Sequence, residues 1–335
     1  MAVSIKTVAE RVGVSEATIS RVLNNKPGFQ ASEDTRKKIH NAVAELGYVG
    51  NKMARSLGKG RSETIGVIVD CLTNPYFAML VESTATLSAA AGYHALVEIT
   101  PSVGSASGRV GQLSGWPVDG MLVWTNHWTI LQDASGNAYK DSPIVYLGYP
   151  RTDGTDWVAS DLYDGGRQIT EHVYDTGRKN VWYLTPYDFD IPVRSEMRMR
   201  AYTDVTKERG FQDHVIATPR CEESTDVGVA VGQQIAAMPK SERPDALVVQ
   251  NDLIAIGVYR GLRDAGLRVP EDIALTGFDG TLEGQNLERP LTTLSTPPQE
   301  MARVALEILF SRIAGNDAGP IGRMLKGTLL VGKTT

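Results

Sequence analysis

A chain of 335 residues with 42% apolar content is long enough for two or three domains with real cores. Its two cysteines, Cys71 and Cys221, make no disulfide framework, and neither a leader segment nor an apolar run of about 18 residues is present, so a reducing cytoplasm is expected and a membrane or secreted class is not. The net charge of −5 is uneven: residues 1–62 hold 11 of the 34 Lys and Arg but 5 of the 39 Asp and Glu, a local +6, and the remaining 23 basic and 34 acidic residues carry −11. A basic head on an acidic body suits a phosphate-binding module fused to a soluble partner.

The head reads as three short helices. Ile5, Val8, Ala9 and Val12 repeat at the spacing of an amphipathic helix. Gly13 and Val14 make a sharp turn, Ser15 caps a second helix, and Ile19, Val22 and Leu23 form that helix's apolar face. Two helices joined by a glycine turn are a helix-turn-helix, whose second helix enters the major groove. Glu16, Ala17, Ser20 and Arg21 are left to project. Arg21 pairs naturally with guanine O6 and N7. Glu16 either accepts from cytosine N4 or is a solvent-facing first-turn acid. Thr18 and Ser20 are candidate phosphate donors. A third helix runs from the Ser32 cap to Gly47, with Ile39, Val43 and Leu46 inward. Residues 51–57 make two turns of helix at most, and 58–62 form a flexible basic linker. So short a helix needs a partner, either its symmetry mate or DNA.

Beyond Glu63 the pattern changes to apolar strands alternating with helical runs, the mark of parallel sheets covered on both faces. Strands are expected at 64–69, 94–99, 121–124 and 144–147, then at 180–184, 246–249 and 273–276. Helices are expected from Asn74 through Ala91, from Gly165 to Tyr174, from Met197 to Arg209, from Thr225 to Met238 and from Leu253 to Ala265. Two successive sets imply two similar lobes, and ligands in such sheets sit at the carboxyl ends of strands. Asp70, Arg198, Asn251 and Asp279 fall at strand ends or helix starts and could serve the hydroxyls of a polyol. Each has an alternative: Asp70 and Asp161 as helix caps, Arg198 as the partner of an Asp across the lobes. Trp124, Trp128 and Trp182 are possible stacking faces, with core packing equally open for Trp182. No G-x-S-x-G, H-E-x-x-H, C-x-x-C or phosphate-loop motif occurs, and the five histidines have no metal-ligand spacing, so neither catalysis nor a metal is expected.

Several motifs carry a family resemblance. In the head these are Lys6-x-Val8-Ala9, Gly13-Val14-Ser15-x-x-Thr18-x-Ser20-Arg21-Val22-Leu23-Asn24, Leu46-Gly47-Tyr48, Asn51 and Ala54-Arg55-Ser56-Leu57. In the body they include Asp70-x-x-x-Asn74-Pro-Tyr-Phe77, Arg198-x-x-Ala-Tyr202, Asn251-Asp252 and Gly277-Phe-Asp279. The chain resembles the lactose-repressor-like family of bacterial transcription regulators over nearly its whole length. The resemblance implies a small all-α helix-turn-helix head and an α/β body of two lobes like a periplasmic sugar-binding protein. The expected limits are 1–49 for the head, 50–62 for a hinge helix and linker, and 63–335 for the effector-binding and dimerisation domain. Within the body, lobe one is placed at about 63–162 and 292–321 and lobe two at about 163–291 and 322–335, with three crossings between them.

By the same resemblance Glu16, Ala17 and Arg21 read bases, Asn24 and Asn51 join them at the DNA, and Leu57 wedges into the minor groove. Asp70, Tyr76, Phe77, Trp124, Asp161, Arg198, Asn251 and Asp279 are the implied effector-binding set. Gly50 stands where the family usually has proline, and the Gly- and Ser-rich stretch 100–115 and Cys221 also depart from its pattern. The implied function is a ligand-responsive repressor of carbohydrate genes, a cytoplasmic homodimer on a near-palindromic double-stranded operator, with a small sugar as effector and no other cofactor. A co-repressor-dependent regulator sensing a nucleoside or purine, or a sugar sensor without specific DNA binding, is the alternative.

Overall fold

The computed structural model describes residues 3–24, 28–48, 61–99, 117–124, 142–186, 196–218 and 224–335. The expected hinge helix with Gly50, Asn51 and Leu57, the stretch 100–115, Trp128 and Cys221 lie outside the described residues. Two compact units divide at Ser62 and Glu63.

The first unit contains α1 (Ile5–Val12), α2 (Glu16–Leu23) and α3 (Glu33–Leu46). All three start with the same device. Ser4, Ser15 and Ser32 accept from the backbone N–H of Thr7, Thr18 and Thr35, and each serine hydroxyl also meets that threonine's hydroxyl at 3.0, 2.9 and 2.8 Å. Two groups left bare at a helix start are thereby satisfied without a distant partner. Gly13 sits at φ 76°, a left-handed turn that a side chain would strain. Val8, Ala9, Ile19, Val22, Ile39 and Ala42 close the core, with Val12, Leu23, Val43 and Leu46 at its edge.

The second unit holds two six-stranded sheets. The first is built from β1 (Thr64–Val69), β2 (His94–Ile99), β3 (Gly120–Val123), β4 (Ile144–Gly148), β5 (Asp156–Ser160) and β11 (Gly322–Leu325), in the order β11-β5-β4-β3-β1-β2. Every pairing in it is parallel. α4 (Pro75–Ala90) and α10 (Pro298–Ile313) cover it, burying Leu80, Met301, Ala305 and Leu309 against Ile65, Leu122 and Val145.

The second sheet comprises β6 (Val181–Thr185), β7 (Val215–Ala217), β8 (Ala246–Val249), β9 (Ala274–Asp279), β10 (Thr292–Ser295) and β12 (Thr328–Leu330), in the order β12-β10-β9-β8-β6-β7. β12 alone among them runs antiparallel. Side-chain alternation splits its strands between two cores. Val181, Tyr183 and Val248 face α5 (Leu162–Asp175) and α6 (Met197–Glu208), while Trp182, Leu184, Leu247 and Val249 face α7 (Thr225–Ala237) and α8 (Asp252–Asp264). α7 and α8 touch backbone to backbone, since a Cβ on Gly257 would lie 2.1 Å from the Thr225 carbonyl oxygen.

The chain crosses between the lobes three times, the first near the expected limit and the second and third later than expected. Thr292–Ser295 pairs with β9 in the second sheet, where Leu291 and Leu294 bury in that lobe's cores, so the return to the first lobe begins with α10. Gly322–Leu325 then pairs with β5 in the first sheet, and the tail joins the second sheet at Thr328. Among the described residues no helix is long and apolar enough to cross a membrane.

Candidate functional site

The second helix of the head presents Glu16, Ala17, Arg21 and Asn24 as exposed side chains, with Thr18 and Ser20 half-buried. Thr18 is engaged by the Ser15 cap. Asn24 folds back on its own helix, its Nδ2 donating to the Ser20 carbonyl at 2.7 Å. The Arg21 guanidinium lies over the Phe29 ring, 5.4 Å from its centre, close enough for a cation–π attraction.

In the body the strand ends of both sheets border a cleft. The first lobe supplies Asn74, Tyr76 and Phe77 from the start of α4, Trp124 after β3, Gly148 and Tyr149 at the end of β4, and Ser160 at the end of β5. The second supplies Leu162, Arg198, Asn251, Phe278 and Asp279, and Thr296 follows β10. Tyr76, Phe77 and Trp124 form an edge-to-face triad with ring centres 5.3–5.8 Å apart. Gly148 makes room for it: at φ 97° a Cβ there would sit 2.8 Å from Trp124 Cζ2. The Trp124 Nε1 is buried with no hydrogen-bond partner among the described residues. Burial, then the nearby Asp279 carboxylate, holds the Tyr76 phenol protonated by raising its pKa.

The polar wall is preorganised. Asn251 spends its Oδ1 capping α8, accepting from Ile254 N at 2.9 Å, so its Nδ2 pair is what it can offer a ligand. Asp279 ends β9 with φ 119°, a conformation that costs a non-glycine residue on the order of 1–3 kcal/mol. Arg198 is nearly buried and bonded three ways. Its Nε and Nη2 donate to the two oxygens of Glu196 at 2.8 and 2.9 Å, and Nη1 donates to the Gln250 carbonyl at 2.9 Å. Burial opposes its charge, but the Glu196 carboxylate outweighs that and keeps its pKa well above the usual value. Its partner is therefore Glu196, two residues away, and not an Asp across the lobes.

The structure brings together Tyr76, Phe77, Trp124, Arg198, Asn251 and Asp279 of the expected effector set. Asp70 and Asp161 do not border the cleft. Asp161 caps α5, accepting from Asp164 N at 3.0 Å. Trp182 lies in the second lobe's core, stacked on His214 at 3.7 Å, with its Nε1 bonded to Asn180. Asn74, Ser160, Tyr149 and Thr296 escape the sequence reading; the strand-end rule could have found Tyr149, just beyond the strand expected at 144–147, whereas the strands that end at Ser160 and Ser295 are not among those expected. Fixed donors, a carboxylate acceptor, hydroxyls and aromatic faces are what a neutral ligand rich in hydroxyl groups requires. Among the described residues no cluster of three or more His, Cys, Asp or Glu could hold a metal ion.

Comparison with known proteins gives the same division. Residues 4–51 match the lacI family of bacterial regulatory proteins, and residues 170–335 match the periplasmic binding protein-like domain. The transcriptional regulator CelR of Thermobifida fusca is 29% identical over 98% of this chain and 97% of its own length. The transcriptional repressor PurR of Photobacterium profundum is 30% identical over 92% of each. A lac repressor dimer bound to operator and the anti-inducer ONPF shares the fold, with a TM-score of 0.84 at 24% identity over 100% of this chain and 99% of the other. A CelR–cellobiose complex superposes with a TM-score of 0.70 at 26% identity, over 99% of this chain and 100% of that one. With a helix-turn-helix head, a two-lobed parallel α/β body and these relatives, the chain belongs to the lacI family of DNA-binding bacterial transcription regulators.

Proposed function

We propose that this regulator is a repressor of carbohydrate-utilisation genes, released from a near-palindromic operator when a small sugar enters the cleft, and that it works as a cytoplasmic homodimer. The observation that carries the reading is the cleft itself, where an aromatic triad faces Arg198, Asn251 and Asp279. Such a pairing of apolar faces with fixed polar groups suits a sugar ring. The CelR–cellobiose complex supports a sugar in a body of this architecture. A ligand held by both sheets couples the lobe angle to DNA affinity, and the coupling is reciprocal. The 30% identity to PurR favours a second reading, in which a purine or nucleoside acts as co-repressor.

The test is a thermal-shift screen against mono- and disaccharides, nucleosides and purines, with Asp279→Gly as control. Glycine accepts φ 119° without the aspartate's strain, so the control is expected to stay folded while losing its response to the effector. A ligand that stabilises both proteins equally would move the site elsewhere, and a purine hit in place of a sugar would favour co-repression.

At the DNA, Arg21→Ala is expected to cost about 1–3 kcal/mol at a single base pair and to relax discrimination there. Fluorescence anisotropy on the regulator's own promoter and its single-base variants reads this. Uniform weakening on every sequence, with a shallower salt dependence, would instead make Arg21 a phosphate contact.

A further inference from the structure

Glu196 is buried, 4% exposed, directly behind the arginine that borders the cleft. It precedes α6 as the cap residue, accepting from the Arg198 backbone N–H at 3.0 Å. The same carboxylate grips the Arg198 side chain through Nε and Nη2. That pair of N–H groups is the side-on one of the two forks with which a guanidinium matches a carboxylate or phosphate two-on-two. Here the side-on fork is already filled from inside the protein. With Nη1 also donating to the Gln250 carbonyl, three of the guanidinium's five N–H groups are spent on the described residues.

Charge points the same way. The Glu196 carboxylate cancels Arg198 within the pair, and among the described residues the other charged side chain bordering the cleft is the Asp279 carboxylate. An anion arriving beside Arg198 therefore meets an occupied fork and a neighbouring negative charge in a poorly solvated place, where repulsion is strong. A neutral hydroxyl oxygen needs a single N–H and loses nothing.

We propose that Glu196 is a specificity residue of the effector site: by occupying the side-on fork of Arg198 and cancelling its charge it closes the cleft to carboxylate and phosphate ligands and leaves it open to neutral polyhydroxyl ones. This rests on the cleft being the effector site and narrows its ligand class to sugars without an acid or phosphate group. Glu196 acts through Arg198, as a positioning residue, and also removes a charge that would otherwise attract anions.

The experiment is titration calorimetry at constant ionic strength on the full chain, wild type, Glu196→Gln and Glu196→Gln/Arg198→Met. The probes are sulfate alone and the matched pairs glucose and glucuronate, ribose and ribose 5-phosphate, and cellobiose and cellobionate. Glu196→Gln keeps one acceptor oxygen for the arginine but frees its charge. It is expected to bind sulfate at least about tenfold more tightly than the wild type, and the gain should vanish in the double variant. The wild type should bind no acidic member of a pair as tightly as its neutral counterpart. No sulfate gain in Glu196→Gln, or wild-type binding of glucuronate or ribose 5-phosphate at the neutral sugar's affinity, overturns the proposal. A sulfate gain with no neutral sugar bound by the wild type would uphold Glu196 as the anion gate while sinking the sugar reading. A bound neutral sugar without the sulfate gain would do the reverse. If the glutamine variant does not fold, the wild-type pairs decide alone.

Discussion

Replacing Arg198 by leucine is expected to destabilise the body by about 3–5 kcal/mol and to abolish the response to effector. The stability loss comes less from the missing arginine than from what it leaves behind. Glu196 would stay buried with its charge and without the two N–H donors that now satisfy it at 2.8 and 2.9 Å, and the Gln250 carbonyl would lose its partner. One consequence separates this from simple loss of packing against Phe278, whose ring lies 5.1 Å from the guanidinium. Pairing Arg198→Leu with Glu196→Met should recover most of the stability without restoring ligand response, because removing both ions removes the desolvation cost as well. Urea denaturation of the four proteins forms a double-mutant cycle, and additive losses would rule this account out.

Asp252 gives the second large effect, with opposite signs for two substitutions. Its carboxylate is fully buried and ties three elements together. One oxygen accepts from the Thr281 N–H at 2.7 Å and its hydroxyl at 3.1 Å, and the other accepts from the Thr293 hydroxyl at 2.6 Å. Burial pushes its pKa up to about 6, against the pull of the Thr293 and Thr281 donors. A group whose pKa is higher folded than unfolded supports the fold fully below its unfolded value and loses that support as pH rises through the folded one. Asp252 therefore costs the wild type stability between about pH 4 and 6, by up to about 3 kcal/mol above that window. Asparagine keeps an oxygen for the two Thr281 donors and can turn its amide toward Thr293, whose hydroxyl accepts as readily as it donates. Asp252→Asn should match the wild type near pH 4 and exceed it at pH 7. Asp252→Ala leaves the Thr281 N–H bare and should lose on the order of 3 kcal/mol at pH 7. Melting curves from pH 4 to 8 test both. A constant offset between the Asp252→Asn variant and the wild type across that range would show that Asp252 carries no desolvation penalty.

Much of the fold can be read from the chain because its strands are continuous apolar runs bounded by turns. The three head helices, β1, β2 and β8 fall where periodicity and caps place them. What escapes is informative. β11 is an edge strand with two of its four residues exposed, so no buried stripe marks it. β12 is three residues long. α10 hides behind Pro297-Pro298, which reads as a break, yet Pro298 occupies the first turn of the helix, where a missing N–H costs nothing. The second crossing falls later than expected because β10 belongs to the sheet before it and only the helix after it changes lobe. In the cleft, the strand-end rule and the family resemblance bring out Arg198, Asn251 and Asp279. Glu196 is invisible to that reading because residues two apart on a helix do not face each other. It reaches Arg198 only because it stands outside the helix, with φ −101° and ψ 83°.

Three crossings between the lobes also set the order in which this protein can be completed as it is made. Strands β1 to β5 leave the ribosome first, but the helix that covers them, α10, and their neighbouring edge strand β11 lie at residues 298–313 and 322–325. The first lobe therefore waits, with Ile65, Leu122 and Val145 covered by α4 but not by α10, while the whole of β6 to β10 is synthesised and assembled. Contacts so distant in sequence are slow to form and leave apolar surface exposed meanwhile. A nascent chain of this regulator that has emerged from the ribosome only as far as residue 297 should hold a second lobe lacking β12 and the tail beside an unfinished first one, and that species is where chaperone engagement should concentrate.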